Sequence, residues 1–473
     1  MNHASPKDVC NRRSRIHGYK NYLLTVLLVI LAFNYADRMV LGLLLQDIKV
    51  DFDLSDTQLG FLSGIAFAFF YSVMGIPIAR WADRGNRVTI ITITTALWSA
   101  AVALCGVAGN FVQLLLIRIC VAVGEAGCIP TAHSLIADYF TRTERPRAVA
   151  IYMIGGPLSF VIGYFLAGWL NELYGWRVTF MLLGLPGLVL ATLVWFTLRE
   201  PRDAKPTLEA ASRPAVAALS QPETAVLSSA QPSLKDVCVT LWANTTFRHL
   251  LFCFSVASFF SYGIGQWQPA FFIRSHGLGT GELGTWFATI WGVGGLLGIY
   301  WGGELASRHA AHNERLQLKA MAVAHCGFGV ISACIYLAPN QYLALGLMGL
   351  AAVGGNLVIG PLFATIQTLV PGRMRAMSIA LIYLFSHLIG MGLGPLAVGA
   401  LSDAFRPWAV EESLRYALLA LCPGYLWAGW HLWQGSRTVA RDLEAVQVDR
   451  DGVAREGNGV ANAANEFHGM SAN

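Results

Sequence analysis

The sequence predicts an all-α membrane protein of twelve transmembrane helices in two pseudo-symmetric six-helix bundles. Three observations lead there. Over 473 residues the chain is 55% hydrophobic and only 13% charged, too apolar for an ordinary soluble domain. Its apolar runs have the length of a crossing helix, not the ten or so alternating residues of a barrel strand. A long polar interval, 199–246, rich in Ala, Pro, Ser and Gln, divides those runs six and six.

In chain order the runs fall near 22–45, 58–79, 88–108, 112–137, 147–170 and 177–198, then 248–273, 281–305, 317–338, 342–369, 376–401 and 415–433. They are numbered here as helices 1 to 12. The first run is followed by no small-residue cleavage site, so it reads as a retained helix and not a signal peptide. Residues 1–21 form a short polar lead. The interval 199–246 reads as a flexible linker, and the polar stretch 434–473 as a disordered tail. The domain expectation is therefore two bundles, 22–198 and 247–433.

Charge placement predicts orientation. If the N-terminus is inside, 26 of the 33 Lys and Arg fall in inside segments and five in outside loops, with Arg38 and Arg118 within helices. Such a bias places both termini in the cytoplasm, and the compact chain with short outer loops fits a bacterial inner (plasma) membrane. The basic residues sit in separate short loops, which excludes a nucleic-acid patch. Nine cysteines occur without a CxxC pair or metal-ligand spacing. No phosphate-binding Gly loop or nucleophile elbow occurs, so the sequence supports no enzyme, metal or cofactor.

The halves repeat each other weakly. Leu59-Gly60 recurs as Leu283-Gly284 and Arg84 as Arg308, both 224 residues on. Ala122-Val123-Gly124 recurs as Ala352-Val353-Gly354, and Arg147-Ala148 as Arg375-Ala376.

The charges inside the bundle mark the candidate site. Helix 4 carries Arg118 and Glu125 seven residues apart, and so on one face, roughly 10 Å apart along the axis. Helix 1 carries Asp37 and Arg38. An ionisable side chain in hydrocarbon costs at least about 2.5 kcal/mol, so such groups persist where they pair or where they move ions and substrates. Depth counting places Asp37 near Arg118 and Arg38 near Glu125 if helices 1 and 4 adjoin. A buried carboxylate there titrates through a contest between desolvation and ion pairing, as proton coupling requires. The second half has no deep charge. Its polar groups are Gln266 beside Trp267 in helix 7, Asn356 in helix 10 and His387 in helix 11. With Asn34 and Tyr35 these are the expected lining of a cavity between the halves, charged on one wall and aromatic or neutral on the other.

Two motifs carry a family resemblance. The loop GIPIARWADRGNR at 75–87, with Asp83, Arg84 and Arg87, resembles the signature of the major facilitator superfamily. There an acid at a helix end and the basic residues after it clamp the cytoplasmic gate. Asp83 is expected to bond nearby N–H groups or Arg side chains, and the basic residues to anchor at lipid headgroups. The segments NYADR at 34–38 and Arg118 with VGEAG at 123–127, ending near Asp138, resemble the spinster branch of that superfamily. Gly127-Cys128 stand where that branch more often has Ser-Tyr. The resemblance implies secondary active transport by alternating access of a small amphipathic substrate such as a lysolipid or sphingoid lipid; the buried carboxylates Asp37 and Glu125 are the expected proton-coupling pair. The alternative in the same class is a proton-driven drug or organic-anion transporter. The expected partners are that substrate, protons and the lipid bilayer, with no nucleic acid, and the expected working unit is a monomer.

Overall fold

The computed structural model describes residues 6–141, 143–202, 234–310, 313–370 and 374–445, and among the described residues it is helical with no strand. Ten segments are long and apolar enough to cross a membrane. Two exceed one crossing: Arg145–Thr197 has 53 residues and Met377–Ala445 has 69, against roughly 20 for a single passage. The first breaks at Gly175, whose φ of 79° lies in the left-handed region that a residue without Cβ adopts freely. The second breaks at Val410, φ 33°, which opens the short 3-10 turn Val410–Glu412. Counted as two passages each, these segments match the twelve predicted runs.

Side-chain caps set many of the helix starts. Ser55 and Gln58 form a capping box at the start of helix 2. Asn86, Asn110, Asn244, Asn313 and Asn340 each accept the N–H three residues on, at the starts of helices 3, 4, 7, 9 and 10. A short polar side chain there satisfies a backbone donor that the helix leaves orphaned. Helices 5 and 11 each contain a π-helical stretch, Val161–Leu166 and Ser386–Leu393, beside Gly155-Gly156-Pro157 and Gly394-Pro395; such turns are frequent at functional places in helices.

The two halves are joined from mid-helix to the end that carries Asp56. Arg274 of helix 7 donates to both Asp56 oxygens at 2.8 Å and to Gln46 Oε1 at 2.5 Å. Lys49 and Ser402 also donate to Asp56. Tyr164 meets Phe287 edge-on and Phe160 stacks on Trp291 across the seam of helices 5 and 8. The hydrogen bonds that join described residues of the two halves, from Arg38–Met391 near the middle to Trp169–Thr285 and Arg274–Asp56, run towards this end.

Several expected boundaries move. Helix 1 begins at Pro6. Residues 199–202 and the helix Leu234–Ala243 are ordered parts of the interval expected to be a linker; 203–233 lie outside the described residues. The chain stays helical past Gln434 to 445, because Val439 is buried in the second half's core. Asp442 Oδ2 also accepts from Thr246 N and Oγ1 at 2.7 and 2.8 Å, which caps helix 7. The rest of the expected tail, 446–473, lies outside the described residues.

Orientation has a direct test. Asn171, in the turn between helices 5 and 6, is buried and donates to Asp47 and Thr280, so it would label poorly. Tyr174, 60% exposed, is the better reporter, with exposed Ser307 at the other end. In a cysteine-free background, Tyr174→Cys is expected to react with an impermeant maleimide on intact cells, and Ser307→Cys only after permeabilisation. The reverse at both sites would invert the topology.

Candidate functional site

Helices 1 and 4 bring the four deep charges together as two acid–base pairs. Arg118 Nη1 donates to Asp37 Oδ2 at 2.5 Å. Arg38 donates through Nε and Nη2 to Glu125 Oε2, at 3.0 and 2.9 Å. Phe67 of helix 2 lies under both guanidinium groups, 5.1 Å from Arg38 Cζ and 5.3 Å from Arg118 Cζ, within cation–π range. The quartet is electrically balanced, the condition for burying charges at all.

The pairs differ in access. Asp37, Arg118 and Glu125 are buried, whereas the Arg38 side chain keeps 12% of its surface. Each carboxylate also leaves one oxygen without a partner, Asp37 Oδ1 and Glu125 Oε1. Arg118 Nε and both polar atoms of Asn34, one turn earlier on helix 1, are unpartnered too. Orphaned buried polar atoms are rare in native cores, and here several belong to one charge cluster.

From Arg38 an aromatic wall runs outward. Its guanidinium lies 5.1 Å from the Tyr35 ring and 4.7 Å from Tyr71, and Nη1 reaches Met391 Sδ at 3.8 Å. His387 follows, with ring centres 6.0 Å from Tyr71, 6.5 Å from Tyr262 and 5.8 Å from Tyr383. Its Nδ1 is 2.7 Å from Tyr383 O. Tyr262 and Tyr383 are exposed where the halves part. Sequence reading named Tyr35 and His387 but missed Tyr71, Tyr262, Tyr383 and Met391. Single tyrosines on separate helices carry no signal of their own, and His387, on the π-helical stretch of helix 11, meets them only in the folded bundle.

Three other expected lining residues lie elsewhere. Trp267 is fully buried and donates to Pro395 O at 2.9 Å, so it offers no open ring face. Asn356 bonds back to Ala352 O and sits against helix 8 at Gly298. Gln266 packs on helix 1 at Gly42, one turn beyond Arg38, with Nε2 unpartnered.

The Asp83 end also departs from expectation. The Asp83 side chain is exposed and forms no ion pair with another described residue, and Arg84 is exposed as well. Arg87, expected at the headgroups, is fully buried. It is gripped by Glu200 and Asp138 and donates to Ser134 O at 3.0 Å. A guanidinium can leave water when carboxylates and a carbonyl occupy its fork. Burial alone would raise the Glu200 carboxyl, but the Arg87 bonds outweigh it and hold it below the usual range. Asp138, at the end of the helix 4 motif, is thereby part of this clamp and remote from the quartet. Arg202 donates to Ala82 O and Asp83 O, strapping the start of the interval after helix 6 onto the loop.

A twelve-passage bundle of two repeats, holding a balanced charge quartet where the halves meet, defines a class: membrane carriers that alternate between two openings. The sequence profile of the Major Facilitator Superfamily matches residues 27–430, and the chain belongs to that superfamily of transporters. Within it the similarity is to spinster-like members. A solved structure titled as a bacterial homologue of the human lysosomal transporter spinster, in an inward-facing and unoccupied conformation, superposes with a TM-score of 0.76 at 28% identity, covering 90% of this chain and 98% of that one. The chain is 24% identical over 453 residues to the sphingosine-1-phosphate transporter SPNS2 of Danio rerio, covering 90% of this chain and 85% of the relative. It is also 30% identical over 424 residues to an MFS-type efflux pump of Mycolicibacterium smegmatis, covering 88% and 93% respectively.

Proposed function

We propose that the protein is a proton-coupled secondary carrier for a small amphipathic molecule with an anionic head, lysolipid- or sphingoid-like, working by alternating access. The observation that carries this reading is the Arg38–Glu125 pair. Arg38 is the half-open member, it faces the aromatic wall, and its carboxylate partner has one oxygen unpartnered. A proton on Glu125 weakens its hold on Arg38 and frees the guanidinium for a substrate anion, while Tyr35, Tyr71, Tyr262 and Tyr383 take the apolar portion. Proton and substrate then compete for one network, with Asp37–Arg118 as the deeper pair. The two bundles, near 22–198 and 247–433, are the moving bodies. With both termini cytoplasmic, as the basic bias supports, closure at the Asp56 end makes this an inward-facing state. A bacterial inner membrane and a monomeric carrier complete the reading.

Counterflow in proteoliposomes tests it, because a carrier exchanges external for trapped substrate and a channel does not. Binding tests the role of Arg38. A charge-assisted hydrogen bond contributes about 1.5–3 kcal/mol, so Arg38→Ala is expected to weaken a lysophospholipid by about ten- to a hundredfold. Arg38→Lys should fall between, keeping the charge without the planar fork. Equal affinity in the native protein and both variants would remove Arg38 from the site. The mycobacterial relative favours a second reading, proton-driven export of drugs or organic anions; a counterflow panel of lysolipids against drugs separates the two.

A further inference from the structure

The Asp56 end is closed by one device built twice. At the seam of helices 11 and 2, Asp403 Oδ1 accepts from Asp56 N at 3.1 Å, and Oδ2 accepts from Thr57 N and Oγ1 at 2.7 and 2.6 Å. A carboxylate of the second half thus caps a helix of the first. At the seam of helices 5 and 8 the roles are exchanged: Glu172 Oε2, in the first half, accepts from Gly281 N at 2.6 Å. Helix 8 starts at Gly279 without a side-chain cap of its own.

The backbones beneath repeat the exchange. A Cβ at Gly399 would meet Asp56 O at 2.2 Å, and one at Gly168 would meet Thr280 O at 2.4 Å. A Cβ at Gly60 would meet Pro395 O at 2.5 Å, and one at Gly284 would meet Tyr164 O at 2.3 Å. The pairs Tyr164/Pro395, Gly168/Gly399 and Glu172/Asp403 are all 231 residues apart, while Asp56/Thr280, Thr57/Gly281 and Gly60/Gly284 are all 224 apart. In each half a close-approach glycine precedes the capping acid by one turn, and that acid meets the amide end of a helix in the other half.

We infer that Glu172 and Asp403 are positioning residues of the gate at this end: a swapped pair of carboxylate caps that holds it shut and must be uncapped for it to open. Each cap joins a full negative charge to the positive end of a helix macrodipole and to orphaned N–H donors. Opening exchanges both for water. The inference rests on the proposed alternation of the two halves, and not on the substrate or the proton.

Double electron–electron resonance between spin labels at Val50 and Trp408, exposed positions on opposite halves at this end, reads the gate without any transport assay. Glu172→Gln and Asp403→Asn keep shape and remove charge. Each is expected to raise the long-distance population by about two- to fivefold, the range of a charge at a helix end, and the double variant by more than either. Distance distributions matching the native protein in both single variants would overturn the latch, and they suffice if the double variant does not purify. Absence of counterflow by the native protein, with this distance response intact in the variants, would count against the carrier reading alone.

Discussion

Glu125→Gln is expected to abolish substrate accumulation driven by a pH gradient while leaving exchange down a substrate gradient. Glu125 is wholly buried, binds Arg38 through Oε2 only, and keeps Oε1 free of partners. It can therefore take a proton on one oxygen while the other still faces the guanidinium. Glutamine is fixed in that neutral form and cannot cycle. A gradient biases the carrier only through differential protonation of its two conformations; exchange needs no net proton movement. Uptake into liposomes with and without an imposed pH difference, against counterflow in the same vesicles, separates the two. Gradient-driven accumulation surviving in both Glu125→Gln and Asp37→Asn would take coupling away from this pair and direct attention to His387.

The largest effect on stability is expected from Arg118→Ala. Removing one partner of a buried ion pair leaves an uncompensated charge and typically costs about 3–5 kcal/mol. Here the orphan would be Asp37, 4% exposed, which already has one oxygen unpartnered. Phe67 would also lose one of the two cations against its ring, keeping only Arg38. Pairing Arg118→Leu with Asp37→Asn removes both charges and is expected to recover most of the loss, since an apolar replacement for a buried pair is often neutral or better. Thermal melting in detergent reads the contrast. If Arg118→Ala melts with the native protein, the pair carries no stability; if the double variant melts no higher than Arg118→Ala, charge balance is not the reason.

Much of this was legible in the sequence because a bilayer imposes coarse rules. Twenty apolar residues make a crossing, and the two places where crossings merge, at Gly175 and Val410, fall in turns the run lengths had already separated. The pairing of Asp37 with Arg118 and of Arg38 with Glu125 followed from rise per residue and antiparallel direction once helices 1 and 4 were taken as neighbours, as the family resemblance implies. The aromatic wall did not follow, because Tyr71, Tyr262 and Tyr383 come from three helices and the rotation of those helices is set by packing. Trp267 misled for the converse reason: a tryptophan beside Gln266 reads as a lining residue, and only the approach of Pro395 shows its N–H committed to the packing of helix 7 on helix 11. Arg87 misled because its partner Glu200 lies 113 residues away, beyond any local pattern.

In the language of subunit assembly, the closed end is an isologous interface inside a single chain: one patch meets a copy of itself about a two-fold axis. Two identical half-chains would build both seams from the same residues, each change appearing twice. A single chain is free of that constraint, and its two edges differ. One has acquired an ionic knot, with Arg274 and Lys49 drawn onto Asp56. The other relies on the rings of Tyr164, Phe287, Phe160 and Trp291. The two edges thus answer to different forces, so an opening motion need not part them together as a perfect dimer would.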